Sequence, residues 1–148
     1  MIEKLLIANR GEIALRILRA AADMGLAGVA IHGEDDGQAL HVIRADRALA
    51  LAGRGAAAYL DPEQIVVAAV RADCDAVHPG YGFLSESAAF ARRCEAAGLV
   101  FVGPSAETLD RLGDKARARA LAEACGVKVL LGTGRGASLA DVKAFGAS

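Results

Sequence analysis

The chain is predicted to fold as an α/β domain, a Rossmann-like open parallel sheet with helices on both faces. Three observations carry that reading. Short apolar runs at Leu5–Ala8, Gly28–His32, Asp75–His78 and Leu99–Val102 alternate with longer stretches of helical periodicity. Glycines stand where those helices must stop, at Gly25, Gly98 and Gly126. Three polar or glycine-rich segments, Asn9–Glu12, Gly33–Gly37 and Pro79–Ser85, follow strands and so gather at one sheet edge.

The elements follow in order. After the strand Leu5–Ala8, a helix from about Arg10 to Met24 places Ile13, Ile17, Ala20 and Met24 on one face. The opposite side carries Glu12, Arg16, Arg19 and Asp23, either a solvated stripe or a contact with another subunit. Glu12 and Arg16 have the i,i+4 spacing that supports a helix by about 0.2–0.5 kcal/mol. The strand Gly28–His32 leads into the acidic loop Gly33–Gly37, a short helix near Gln38–Ile43 and a strand near Ala48–Leu51. Asp61 then caps a helix to about Arg71, with Pro62 at its first position and Gln64 at its third. The strand Asp75–His78 gives way to a helix over Ser85–Ala97, with Ser85 as its cap and Glu86 as a favourable first-turn anion. After Leu99–Val102 come two short helices capped by Ser105 and Asp114. A loop at Gly132–Gly136 and a short helix over Leu139–Phe145 end the chain.

At 148 residues and 54% apolar, the chain suits one domain with a real core. No apolar run approaches the roughly 20 residues of a membrane span. Met1–Ala8 is too short, and too soon followed by charge, for a secretory signal. A net charge of −1 and an aromatic content of 4% disfavour a nucleic-acid surface. Cys74, Cys94 and Cys125 are odd in number and form no C-x-x-C pair, which disfavours metal and redox sites and suits a reducing cytoplasm. Cys94 and Cys125 are expected to be small buried thiols on helix faces.

The segment His78–Glu86 is the richest in chemistry. Two glycines, Gly80 and Gly82, flank Tyr81, an arrangement a plain turn would not need. Tyr81 is wasted as core in so flexible a loop and is a candidate for ligand contact. His78 at the strand end either hydrogen-bonds a neighbouring loop or takes part in chemistry. The first strand's loop holds one glycine, not G-x-G-x-x-G, which disfavours a dinucleotide site; Gly53-Arg54-Gly55 reads as plain loop, and there is no P-loop. Lys115 sits in a helix's first turn, where the dipole disfavours a cation; Asp114 offsets that, and an anionic ligand such as a phosphate would too.

Four segments, Ile7–Ala14, His78–Glu86, Phe101–Ser105 and Gly113–Lys115, occur in this order in biotin carboxylases. The chain resembles their N-terminal, pre-ATP-grasp lobe from the first strand to about Thr133. The resemblance implies an enzyme that couples ATP hydrolysis to carboxylation of biotin. Bicarbonate attacks the γ-phosphate, and the carbon dioxide released from carboxyphosphate passes to a ureido nitrogen. It implies that Lys115 contacts ATP, that Gly80, Tyr81 and Gly82 border the biotin pocket, and that Arg16, Arg19 and Asp23 lie near a homodimer interface. Asp23 is one methylene shorter than the expected Glu, Ser87 replaces a common Asn, and Lys128 and Leu131 stand where related chains often carry prolines.

By that resemblance residues 1–126 form the lobe, and residues 127–148 are a connector toward an ATP-grasp domain. That domain would supply the catalytic residues and the ligands for Mg2+ or Mn2+, so no catalytic or metal-binding residue is assigned in this chain and alone it is expected to be inactive. A biotin carboxyl carrier domain and a carboxyltransferase are the implied partners. The alternatives are the corresponding lobe of another ATP-grasp ligase, of the carbamoyl-phosphate synthetase type and expected to lack an intact His78–Glu86 string, or a non-catalytic assembly domain. A nucleotide-dependent dehydrogenase is the weakest.

Overall fold

The computed structural model describes residues 1–130, 132 and 136–147. Expectations resting on Leu131, on Thr133–Arg135 within the 132–136 loop and on Ser148 lie outside the described residues. The chain forms two compact units, Met1–Leu109 and the residues from Asp110 onward.

The first unit is built on five parallel strands: β1 (Lys4–Ile7), β2 (Ala27–His32), β3 (Arg47–Ala50), β4 (Ala76–His78) and β5 (Val100–Phe101), in the order β3-β2-β1-β4-β5. The order reverses at β1, so β1 and β4 lie side by side at the centre, with Ile7 opposite His78. Their carboxyl ends flank the crevice where doubly wound sheets place ligands. The central strands are apolar on both faces, as a sheet covered on both sides requires.

Pleating divides the core. Leu5, Ile7 and Ala76 face helix α1 (Gly11–Asp23), packing with Ala14, Ile17, Leu18 and Ala21. Leu6, Val77, Val29 and Ile31 face the other way, toward Ile65, Val66 and Ala69 of α4 (Pro62–Arg71) and Phe90, Ala91 and Cys94 of α5 (Ala88–Ala96). Each large apolar side chain so buried contributes about 1.5–3 kcal/mol. Gly28 has a structural cause: a Cβ there would stand 2.5 Å from Leu18 Cδ2, so any other residue would force the Leu18 side chain to shift.

The expected phase of α1 needs correcting. Its core stripe is Ala14, Ile17, Leu18 and Ala21, whereas Ala20 is exposed and Met24 is 73% exposed. This helix is apolar over much of its circumference, so periodicity permits two faces, and the sheet takes the one rich in small alanines. Gly25 follows it with φ 72°, as expected for a residue just past a helix end.

The short α2 (Leu40–Arg44) and α3 (Gly55–Ala58) join the strands and helices on the β3 side. Gly53 and Arg54 are loop as expected; helix α3 begins at Gly55 and delivers Tyr59 into the core. Asp61 caps α4, accepting from the N–H groups of Glu63 and Gln64. Gln64 does not return to the cap backbone; its amide oxygen accepts from the Ala52 N–H. Helix α6 (Ala106–Leu112) is capped by Ser105, whose hydroxyl accepts from the Thr108 N–H.

In the second unit, α7 (Lys115–Ala124) is capped by Asp114, which accepts from the Arg117 N–H. Helix α8 (Leu139–Gly146) begins with a capping box between Ser138 and Asp141. Among the described residues no helix is long and apolar enough to cross a membrane.

Candidate functional site

The loop between β4 and α5 is held from below by a side chain outside it. Asn9, fully buried just past β1, donates from Nδ2 to the carbonyls of Pro79, at 2.7 Å, and Tyr81, at 2.9 Å. Its Oδ1 accepts from the Arg10 N–H. Gly80 passes so close that a Cβ would meet Ile13 Cγ2 at 2.6 Å and Asn9 Nδ2 at 2.8 Å, and its φ is 68°. Position 80 therefore excludes a side chain on two grounds. Gly82, at φ 69°, has open space around it and is demanded by conformation alone.

His78 resolves the choice left open at the strand end. Its Nδ1 lies 3.0 Å from the Gly80 nitrogen and accepts that N–H, so the ring braces the first turn of the loop. Burial holds the imidazole below its ordinary range, which keeps Nδ1 available as an acceptor.

Between these supports Tyr81 projects outward and is 68% exposed. It stands with Gly80 and His78 at the edge of an apolar groove of about 820 Å³, bounded further by Ile13, Ile17 and Met24. The face of α1 expected to carry Ile13, Ile17, Ala20 and Met24 thus lines an open concavity beside the tyrosine. A mostly apolar ligand suits such a place, since the ring and the groove supply apolar area.

The far end of the loop departs from expectation. Ser85 is not the cap of α5: its N–H donates to the Gly82 carbonyl within a turn, and the helix begins at Ala88. Ser87 is the cap, its hydroxyl accepting from the Phe90 N–H at 3.2 Å. Glu86 consequently lies ahead of the helix, outside its first turn. The cause is Phe83, whose φ of 41° bends the chain into one further turn before the helix starts.

A polar cluster lies behind that turn. Arg10 pairs with Asp36, Nε to Oδ2 at 2.9 Å and Nη2 to Oδ1 at 3.2 Å. The fully buried Tyr59 donates to Asp36 Oδ2 at 3.0 Å, and its ring stacks on Phe83 with centroids 5.3 Å apart. Burial, then the Asp36 carboxylate, pushes the Tyr59 phenol up to about 12, so it remains a donor throughout the physiological range. Loops following β1, β2 and β4 are thereby joined.

Elsewhere, Arg16, Arg19 and Asp23 lie exposed along α1, bordering a shallow hollow of about 410 Å³ with Glu12. Among the described residues neither Glu12–Arg16 nor Arg19–Asp23 closes an ion pair. Lys115 opens α7 in the second unit and is exposed. Cys94 is buried as expected, and so is Cys74, but Cys125 is exposed, a correction traceable to α7 burying none of its residues. No group of three or more His, Cys, Asp or Glu side chains is placed to hold a metal among the described residues.

Asn9 and Asp36 lie in two of the three loops expected at this sheet edge, although neither was singled out as a site residue, and Tyr59 was not marked at all. The available signal was Asn9 itself, an amide directly after a buried apolar run, where an unpaired polar group would be costly.

Residues 1–109 match the family model described as biotin carboxylase, N-terminal domain. The chain is 48% identical to pyruvate carboxylase of Bacillus subtilis (strain 168), over 98% of this chain and 13% of that protein. It is 50% identical to the mitochondrial pyruvate carboxylase of Homo sapiens, over 89% of this chain and 11% of that one. A solved biotin carboxylase domain of a single-chain bacterial carboxylase shares 54% identity with a TM-score of 0.91, covering 98% of this chain and 34% of the other. The biotin carboxylase domain dimer of the Hydrogenobacter thermophilus 2-oxoglutarate carboxylase, solved with MgADP, ADP and bicarbonate, shares 39% identity with a TM-score of 0.92, over 99% and 33%. The chain therefore spans about a third of these solved domains and a smaller share of the pyruvate carboxylases. With five parallel strands in this order and a matching sequence through Leu109, the chain belongs to the biotin carboxylase N-terminal domain family.

Proposed function

We propose that the chain serves as the N-terminal lobe of a biotin carboxylase, within an enzyme that carboxylates biotin with ATP and bicarbonate. The observation that carries this reading is Tyr81: an exposed ring on a backbone braced by Asn9 and His78, at the rim of an apolar groove. In this reading Gly80, Tyr81 and Gly82 border the ureido ring of biotin. Lys115 reaches an ATP phosphate, and Arg16, Arg19 and Asp23 face a second subunit. A related carboxylase domain solved as a dimer with MgADP and bicarbonate supports the nucleotide, metal and dimer parts of it.

Residues 1–126 would form the lobe and residues 127–148 the connector to an ATP-grasp domain. That domain brings the ligands for Mg2+ or Mn2+ and the groups that act on bicarbonate. A carboxyl carrier domain bearing biotin and a carboxyltransferase complete the enzyme. The three unpaired thiols suit a reducing compartment such as the cytoplasm.

Phosphoryl transfer depends on metal ions and converging cations that neutralise charge, and one lysine cannot provide them. The 148-residue chain alone should therefore show no ATP hydrolysis dependent on biotin and bicarbonate. Steady-state ATPase rates like those of an intact biotin carboxylase would refute this. In a carboxylase carrying this lobe, Tyr81→Ala should raise KM for free biotin and leave KM for ATP unchanged. The opposite pattern would remove the biotin assignment.

A further inference from the structure

The cluster behind the Tyr81 loop has no part in the function proposed above, yet it is built with care. Tyr59 is fully buried, its hydroxyl donating to Asp36 and accepting from the Gly33 N–H at 3.3 Å. Arg10 grips the same carboxylate through two nitrogens, a fork geometry that fixes direction as well as distance. The guanidinium carbon of Arg10 also lies 5.8 Å from the centre of the Tyr59 ring. The ring is thereby held at its tip and its face. Phe83 lies flat on this fixed ring, 15° from parallel.

Phe83 is the unusual member. Among the described residues, only Asp73 and Phe83 have positive φ without being glycine. Asp tolerates that state in turns, because its short side chain bonds locally. A bulky aromatic does not, and it persists there only where its surroundings over-determine it. The stack on Tyr59 is what over-determines it. Tyr81 lies two residues earlier, with its own carbonyl held by Asn9.

We propose that Phe83 and Tyr59, backed by Asp36 and Arg10, are positioning residues that latch the far end of the loop as Asn9 and His78 fix its near end. The loop presenting Tyr81 is ordered before any ligand arrives, so binding does not have to supply that order. That the beneficiary is biotin rests on the function proposed above; that the loop is latched does not.

Phe83→Gly separates the latch from simple backbone strain. Glycine relieves the φ of position 83, so strain alone would leave the loop no looser; the backbone freedom that glycine adds is controlled by Tyr59→Phe, which leaves position 83 untouched. The latch requires the reverse. The Ser85 and Ser87 amides, which donate to the Gly82 and Leu84 carbonyls, should exchange with deuterium about tenfold faster in Phe83→Gly, an opening confined to the loop. The Leu6 and Val77 amides in the central strands should keep their rates, and Phe83→Tyr, which retains the ring, should behave as the wild type. Tyr59→Phe keeps the stack but cuts the tether to Asp36, and should accelerate the same two amides by a smaller factor. Unchanged or slower loop exchange in Phe83→Gly, or equal acceleration in loop and strands, overturns the latch.

In a carboxylase carrying this lobe, Phe83→Gly should raise KM for free biotin about tenfold, a loss of preorganisation, with KM for ATP unchanged. If Tyr81→Ala moves KM for biotin and Phe83→Gly does not, the latch fails and the biotin reading stands. If neither moves it while the loop amides accelerate, the biotin reading fails and the latch stands.

Discussion

The side-chain amide of Asn9 spans the carbonyls of Pro79 and Tyr81, donating at 2.7 and 2.9 Å. One buried residue after the first strand thus sets the path of the loop after the fourth, across the switch point of the sheet. The two segments most recognisable in the sequence, Ile7–Ala14 and His78–Glu86, are joined through this contact. Their joint presence has a structural reason: the first segment supplies the donor that two carbonyls of the second accept.

Asn9→Ala should destabilise the chain by roughly 2–3 kcal/mol, because two carbonyls lose their donor and each stranded polar group costs about 1–3 kcal/mol. Asn9→Asp is isosteric yet should be worse near neutrality, since an ionised carboxylate offers no donor and faces two carbonyl oxygens. Urea unfolding of both variants checks this. An Asn9→Asp midpoint equal to the wild type would show that the amide's hydrogens do not matter.

The two glycines beside Tyr81 should respond differently to alanine. At Gly82 the penalty is conformational only, about 1 kcal/mol for a residue held at positive φ. At Gly80 the same penalty adds to a collision with Ile13 Cγ2 at 2.6 Å, and overpacking of that kind costs a further 1–3 kcal/mol or so. Denaturant melts of the two variants should therefore rank Gly80→Ala well below Gly82→Ala. Equal midpoints would contradict the crowding at position 80.

Much of this was legible from residues alone, and the gaps have physical causes. Strand positions and helix ends were within reach because buried parallel strands read as apolar runs and Gly25, Gly98 and Gly126 mark helix ends by local sterics; all three have positive φ. The start of α5 was not. Ser85 and Ser87 are equally good caps in isolation, and the choice is made by Phe83 turning over Tyr59, a contact between residues 24 positions apart. The phase of α1 was hidden for a related reason. A helix apolar on two faces declares its core side only when the sheet is present. The Arg10–Asp36–Tyr59 cluster draws on three separate loops, so no local spacing announces it.

The thiols should separate cleanly in reactivity. Cys74 and Cys94 are buried, and burial pushes both up to about 11, whereas Cys125 is exposed. Thiolate is the reactive form, so iodoacetamide should modify Cys125 alone in the native chain and all three cysteines in denaturant, as read by mass spectrometry. Native labelling of Cys94 at a comparable rate would mean that α5 opens readily from the sheet.

Stability should fall on mild acidification, and His41 is one reason. The ring is fully buried; its Nε2 lies 3.3 Å from the Ile31 carbonyl, and its Nδ1 is the one buried side-chain polar atom without a partner among the described residues. An imidazolium would carry a proton on that orphaned nitrogen. Burial accordingly lowers the pKa of His41 from 6.5; the hydrogen bond to the Ile31 backbone and then Asp36 pull the other way, and Arg10 and His32 reinforce the lowering. Burial lowers His78 as well. For both groups the folded value lies below the unfolded one, so the unfolded chain binds more protons in between. The contribution is complete above the unfolded value and is lost as pH falls through the folded values, at up to about 1.4 kcal/mol per pH unit for each proton. The carboxylates held low by backbone N–H groups, such as Asp75 beside Glu3 and Lys4, act in a separate window below about pH 4. Urea midpoints should therefore decline between about pH 7.5 and about pH 5.5, and His41→Leu should flatten that decline by one proton's slope. A midpoint that rises on acidification, or a slope unaltered in His41→Leu, would show that the histidine is charged in the folded chain.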